Sequence, residues 1–151
     1  TSNNGAWAMP DTTDNTIRLA QSPMRSASVF NFFRPRYSPP VTELARRGQV
    51  APELQITDET SIAGYLNFLA IYVDRGWEDL QTNYAAEIAL ARDPAALVAR
   101  VALLLAGDAF SSATANAIAQ AVATLPPERP RDRVRAAIML VAASPEYLVQ
   151  K

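Results

Sequence analysis

Thr57-Asp-Glu-Thr-Ser-Ile-Ala-Gly-Tyr-Leu-Asn-Phe-Leu-Ala-Ile-Tyr-Val-Asp-Arg-Gly76 begins and ends as a helix should. Thr57 can cap the first free N–H groups, Asp58 and Glu59 put negative charge where the helix dipole favours it, and Gly76 offers a left-handed stop. Between them Ile62, Leu66, Leu69 and Val73 recur at helical spacing. Tyr65, Phe68, Ile71 and Tyr72 fill the remaining faces, so this helix is expected to be nearly surrounded by protein and to form the core. Its longest apolar run, Ala63 to Val73, is interrupted by Asn67 and falls well short of the roughly 20 residues needed to cross a bilayer.

Toward the C-terminus the same signals repeat. A short helix is expected near residues 81–91, and Asp93-Pro94 then supplies an N-cap followed by proline at the first helical position. Leu97, Val98, Val101, Leu104 and Leu105 form the apolar face of that helix, which Gly107 ends. Ser111 or Ser112 starts the next, where Ala115, Ile118, Ala119 and Val122 make a stripe of small residues suited to an antiparallel hairpin. Beyond the Pro126-to-Pro130 connector a helix from about 131 to 143 is apolar at Val134, Ala137, Ile138 and Val141. Its basic N-terminal end opposes the dipole unless Glu128 or Asp132 offsets it. Ser144-Pro145-Glu146 caps a final turn carrying Tyr147 and Leu148.

Toward the N-terminus the character changes. Thr42 to Arg47 makes a short helix closed by Gly48, and Ala51 to Ile56 is expected to be extended because Pro52 restrains its predecessor. Residues 26–33 offer a helical turn stopped by Pro35. Residues 1–24 are an irregular lead-in that Trp7 and Met9 can pin down, and residues 25–151 form the helical domain. The fold class is therefore all-α, a bundle of about five or six helices with an extended, proline-rich N-terminal third lying over a core of the helices at 57–75, 94–106, 112–124 and 131–143. No internal repeat is apparent.

The 151 residues are enough for one ordinary domain with a contiguous core. Fourteen basic and 15 acidic residues leave a net charge of −1, too little for a field that would hold nucleic acid or an anionic membrane. With no cysteine and no histidine, the chain lacks disulfides, thiolate zinc sites and the commonest general base. No serine sits in a nucleophile elbow, and the five glycines are scattered singly, without a phosphate-cradling or dinucleotide pattern. No cofactor and no metal are expected, and no catalytic constellation lies within the chain. The opening Thr-Ser-Asn-Asn-Gly has neither an initiator Met nor an apolar stretch, which points to a fragment of something longer.

Four stretches carry a family resemblance. Gln21-Ser-Pro-Met-Arg-Ser-Ala-Ser-Val-Phe-Asn-Phe-Phe-Arg-Pro-Arg-Tyr37, then Ala51-Pro-Glu-Leu-Gln-Ile-Thr-Asp-Glu59 and Gly64-Tyr-Leu-Asn-Phe68, resemble the C-terminal part of the domain of unknown function 1800 family. The ending Arg133-Val-Arg-Ala-Ala-Ile-Met-Leu-Val-Ala-Ala-Ser-Pro-Glu-Tyr-Leu-Val-Gln150 is similar to that family's terminus. The resemblance implies a large exported bacterial protein, periplasmic, cell-surface or extracellular, whose gene often neighbours that of a second uncharacterised exported family. It implies no reaction. The family's N-terminal region, with its histidine and arginine motifs, has no counterpart in these residues.

Candidate contact residues for a ligand or partner fall in three groups. Arg25, Phe30, Asn31, Arg34 and Tyr37, with Phe32, Phe33 and Arg36, can clamp a carboxylate while a ring stacks on a planar face, or else the rings are core and the arginines pair with Glu53 or Glu59. Glu53, Asp58 and Glu59 are three carboxylates around a helix start, the equipment of a glycosidase or simply of a helix cap. Asn67, mid-helix among apolar residues, must satisfy its amide inside the fold. The leading expectation is a structural or interaction module that docks on the N-terminal region of the same protein or on a neighbouring exported protein. The alternatives are part of a polysaccharide-active hydrolase, with Glu53 or Glu59 as carboxylate and Arg25 or Arg34 orienting substrate, and a self-assembling surface or filament subunit.

Overall fold

Asp93 and Pro94 set up the best-packed part of the molecule. In the computed structural model, which describes residues 11–14, 18–77, 80–107 and 110–148, the Asp93 carboxylate accepts from the N–H groups of Ala95 and Ala96, both at 3.1 Å. Pro94, locked near helical φ and needing no N–H partner, takes the first position. The helix that follows, α4 (Pro94–Ala106), lies among α3 (Ala85–Leu90), α5 (Ser112–Ala123), α6 (Pro130–Ala142) and α7 (Pro145–Leu148). Preceding them are α1 (Glu43–Arg46), a 3-10 turn (Pro52–Gln55) and α2 (Glu59–Arg75). Among the described residues the fold is all-α, without a strand, as the periodicity implies, and no helix is long and apolar enough to cross a membrane. Trp7 and Met9 lie outside the described residues.

The chain divides into two compact units whose boundary falls within α2, between Ile71 and Tyr72. In the unit from Tyr72 onward, one apolar cluster joins Ala91, Leu97, Val98 and Val101 to Ile118 and Val122 of α5 and Val134, Ala137 and Val141 of α6. Leu97, Val122, Val134 and Val141 are fully shielded, and each such side chain contributes roughly 1.5–3 kcal/mol by leaving water. Ala115 and Ala119 pack against the cluster from α5, where small side chains let the helices approach. Leu104 and Leu105, expected on the apolar face of α4, are instead 56% and 40% exposed, as is Leu103. Three consecutive leucines span about 200° of helix circumference, so one packed face cannot cover all of them.

Arg133 is buried in this unit. It donates from Nε and Nη2 to the carbonyl of Leu125, at 3.0 and 2.7 Å, and from Nη1 to the carbonyl of Ala91 at 2.9 Å. Ala91 is the C-cap of α3, and Leu125 directly follows Thr124, the C-cap of α5. The cation thus sits on two helix C-termini, whose partial negative charge and free carbonyls replace the water it has lost. At the surface Arg129 pairs with Asp132 at 3.6 Å, so Asp132 supplies the offset that the basic start of α6 requires.

A second clamp holds the end of α2. Tyr84 donates its hydroxyl to the Val73 carbonyl at 2.8 Å, Arg131 and Arg135 donate to the Asp74 carbonyl at 3.3 and 3.4 Å, and Arg135 also pairs with the Asp74 carboxylate. Gly76 then reverses the chain at φ 72°, and a Cβ there would collide with the Leu80 carbonyl. Trp77 and Leu80 exchange backbone hydrogen bonds at 3.0 and 2.8 Å, and the Trp77 ring stacks on Tyr72 with centroids 5.6 Å apart.

In the unit ending at Ile71, four sequence expectations are corrected. The 3-10 turn Pro52–Gln55 replaces the extended run expected over 51–56: Ala51, at φ −144° and ψ 78°, is kept out of the helical region, but Pro52 itself opens a helical turn. The α2 cap is Asp58 rather than Thr57. Asp58 accepts from Ser61 N–H at 2.7 Å and donates its own N–H to Ser61 Oγ at 2.9 Å, a reciprocal box, while Thr57 donates its hydroxyl to the Glu53 carbonyl. Residues 26–33 form a turn rather than a helical one, because Ser28 Oγ accepts from Phe30 N–H and Asn31 adopts φ 69°, side-chain competition that displaces helix. Finally, α2 is not the core. Of its large apolar side chains only Val73 is buried, and Ile62 and Ile71 are exposed. Apolar residues on every face permit burial; they do not provide a covering partner.

Candidate functional site

Residues 18–42 contain Arg18, Arg25, Arg34 and Arg36 and no carboxylate, and the aromatic residues of the chain's most distinctive motif lie among them. The segment is held by local bonds rather than by a regular element. Ser28 and Asn31 close a tight turn, with Asn31 N–H donating to the Ser28 carbonyl at 3.1 Å. Six positions later Tyr37 offers its carbonyl to Ala51 N–H at 2.8 Å. Between them Arg34 N–H donates to Gln55 Oε1 at 2.8 Å, tying the motif to the 3-10 turn.

Those bonds shape an open pocket of about 230 Å³. Phe30, Asn31, Phe33, Arg34 and Gln55 are among the residues that line it. Phe32 and Phe33 are half-buried and act as its walls, whereas Phe30 is 60% exposed and Arg34 lies open to solvent. Gln55 had no signal in the sequence. It stands 21 positions from Arg34 and enters only because the turn at Pro52 is helical rather than extended.

The other candidate residues lie apart from this pocket. Arg25 forms an exposed pair with Asp11 at 3.1 Å. Asp11 accepts the hydroxyl and the N–H of Thr13, which hold its carboxyl below the ordinary range, Arg25 and Arg18 acting in the same direction. Tyr37 is half-buried and contributes backbone. Glu53 and Glu59 are exposed, and among the described residues neither pairs with an arginine, so the expected Arg–Glu pairing does not form there. Asn67 is exposed, not enclosed, so its amide can be satisfied by water; helix position alone could not tell which face of α2 is covered. Among the described residues no group of three or more Asp or Glu side chains is placed to hold a metal ion.

Around the motif, apolar side chains stand in solvent. Met24 and Val41 are fully exposed and Val29 is 94% exposed. Met24, Asn31 and Val41 also hold positive φ, of 61°, 69° and 63°. For a β-branched residue such as Val41 that backbone is costly, by about 1–2 kcal/mol.

A family model described as "Protein of unknown function (DUF1800)" matches residues 6–149. Neither the curated proteins nor the solved structures contain a match to the chain.

Proposed function

The chain belongs to the DUF1800 family, and from that premise we propose that it works as an interaction module of an exported bacterial protein. Its partner is the N-terminal region of the same protein or a neighbouring exported protein. The observation carrying this reading is the run of exposed apolar side chains along residues 24–50: Met24, Val29, Phe30, Val41 and Val50 are between 57% and 101% exposed. Large apolar side chains held in solvent along one segment, with positive φ at Met24, Asn31 and Val41, support a surface that another protein covers.

Calorimetric titration of the chain with each of the two partners tests this. Binding is expected for at least one, with a negative heat-capacity change from apolar burial. It is expected to weaken when Val29 and Phe30 are replaced by serine. If neither partner binds, the reading is wrong.

A further inference from the structure

Charge and shape at the aromatic pocket narrow the chemistry of what docks there, on the premise of the docking reading above. The chain as a whole is at −1, yet residues 18–42 carry four arginines and no carboxylate, which leaves the remaining residues at −5. Arg25 is engaged with Asp11, and Arg18 donates to the Asp11 carbonyl. Arg34 and Arg36 are exposed, and no ion pair among the described residues includes either. Arg34 is the one of the two that lines the pocket, as Phe30 also does.

The hydrogen-bond pattern adds donors and removes acceptors. Because Arg34 N–H can only donate, the Gln55 oxygen faces it, which orients the amide and leaves the Gln55 NH2 for another partner. A planar guanidinium and an amide NH2 in a pocket also lined by the exposed Phe30 and the half-buried Phe32 and Phe33 match a carboxylate attached to an apolar group.

We propose that this pocket receives an acidic, apolar-flanked peptide segment of the partner, with a side-chain carboxylate on the Arg34 guanidinium and Gln55 amide and a neighbouring apolar side chain against Phe30. A carboxylated sugar would use the same cation and ring. It would leave Met24 and Val29, the aliphatic side chains flanking the pocket motif, in water, whereas an extended peptide covers them.

Selection of a displayed library of random peptides about a dozen residues long on the immobilised chain tests the proposal. Fluorescence anisotropy then measures the recovered peptides on the unaltered chain and on the Arg34→Gln and Phe30→Ala variants, with oligogalacturonate as the sugar arm. Both altered side chains are exposed, and a circular-dichroism melt superimposable on that of the unaltered chain confirms the fold of each variant. Enrichment of Asp or Glu beside Leu, Phe or Tyr is expected, with affinity reduced about tenfold in either variant and further by added salt. Recovered peptides without acidic enrichment, or held equally by Arg34→Gln, would overturn the acidic-peptide assignment while leaving docking intact. Oligogalacturonate binding that outcompetes the peptides would overturn it too. If no peptide is retained, the acidic-peptide assignment falls; if the two partner proteins also fail to bind, the docking reading falls with it.

Discussion

Arg133 Nη1 lies 2.9 Å from the carbonyl of Ala91, 42 positions earlier in the chain, and the rest of the same guanidinium closes on Leu125. One buried cation therefore terminates two helices, α3 and α5, from a third. Replacing Arg133 with Met keeps much of the volume but leaves both carbonyls without a donor, at about 1–3 kcal/mol for each. Urea denaturation of Arg133→Met should show a loss of about 2–6 kcal/mol. Arg133→Lys should recover little, since one ammonium cannot span both carbonyls. An unchanged midpoint in Arg133→Met would show that the carbonyls find other donors.

Gly76 and Gly48 both hold positive φ, at 72° and 65°, but only Gly76 meets a wall. Alanine at Gly48 enters open space and bears only the left-handed conformation, about 1 kcal/mol. Alanine at Gly76 must also displace the Leu80 carbonyl, which is tied to Trp77. Gly76→Ala should cost about 3 kcal/mol or more in thermal or chemical unfolding, and equal losses for the two variants would refute the steric account.

The start of α2 separates two neighbouring residues that look interchangeable. Asp58→Ala removes the carboxylate that accepts from Ser61 N–H and should lower stability by about 1 kcal/mol, whereas Thr57→Ala loses only an exposed hydroxyl bond to the Glu53 carbonyl. Asp93→Ala should match Asp58→Ala, since α4 uses the same device. Parallel melts of the three variants check the order; a larger loss for Thr57→Ala would place the cap one residue earlier.

Burial pushes the Tyr84 hydroxyl above the ordinary tyrosine value of 10.0, an effect that nearby Thr82, Arg131 and Arg135 oppose. The folded chain then holds its proton more tightly than the unfolded chain does. The associated stability is complete below pH 10 and is lost as pH rises from there through the folded value. Unfolding free energy measured across that alkaline window should fall in the unaltered chain. The fall should be smaller in Tyr84→Phe, which has no proton to lose but also gives up the bond to the Val73 carbonyl at every pH. Identical pH slopes would rule out Tyr84 as the titrating group.

Local chemistry made the helix limits readable. Asp93-Pro94, Ser111 and Gly107 act within their own turn, so their residue types suffice, and the structure places α4 and α5 where those signals do. The candidate pocket was only partly legible. Phe30, Asn31 and Arg34 are close in sequence and share it, but Gln55 arrives through a turn that Pro52, which restrains only its predecessor, permits without requiring.

By itself the sequence determined an all-α chain, its main helix boundaries and the apolar stripe that α5 and α6 turn inward, because caps and periodicity are properties of a few consecutive residues. Only the tertiary structure decided which stripes find partners. It buried Leu97, Val98 and Val101 but not Leu104 and Leu105, left Ile62 and Ile71 of α2 exposed and most of its other large apolar side chains only half-buried, and drew Arg133 into the interior. Burial depends on what lies opposite a face. Two helix ends meeting at one point can supply the carbonyls that satisfy a buried arginine, and no local pattern records where helix ends will meet.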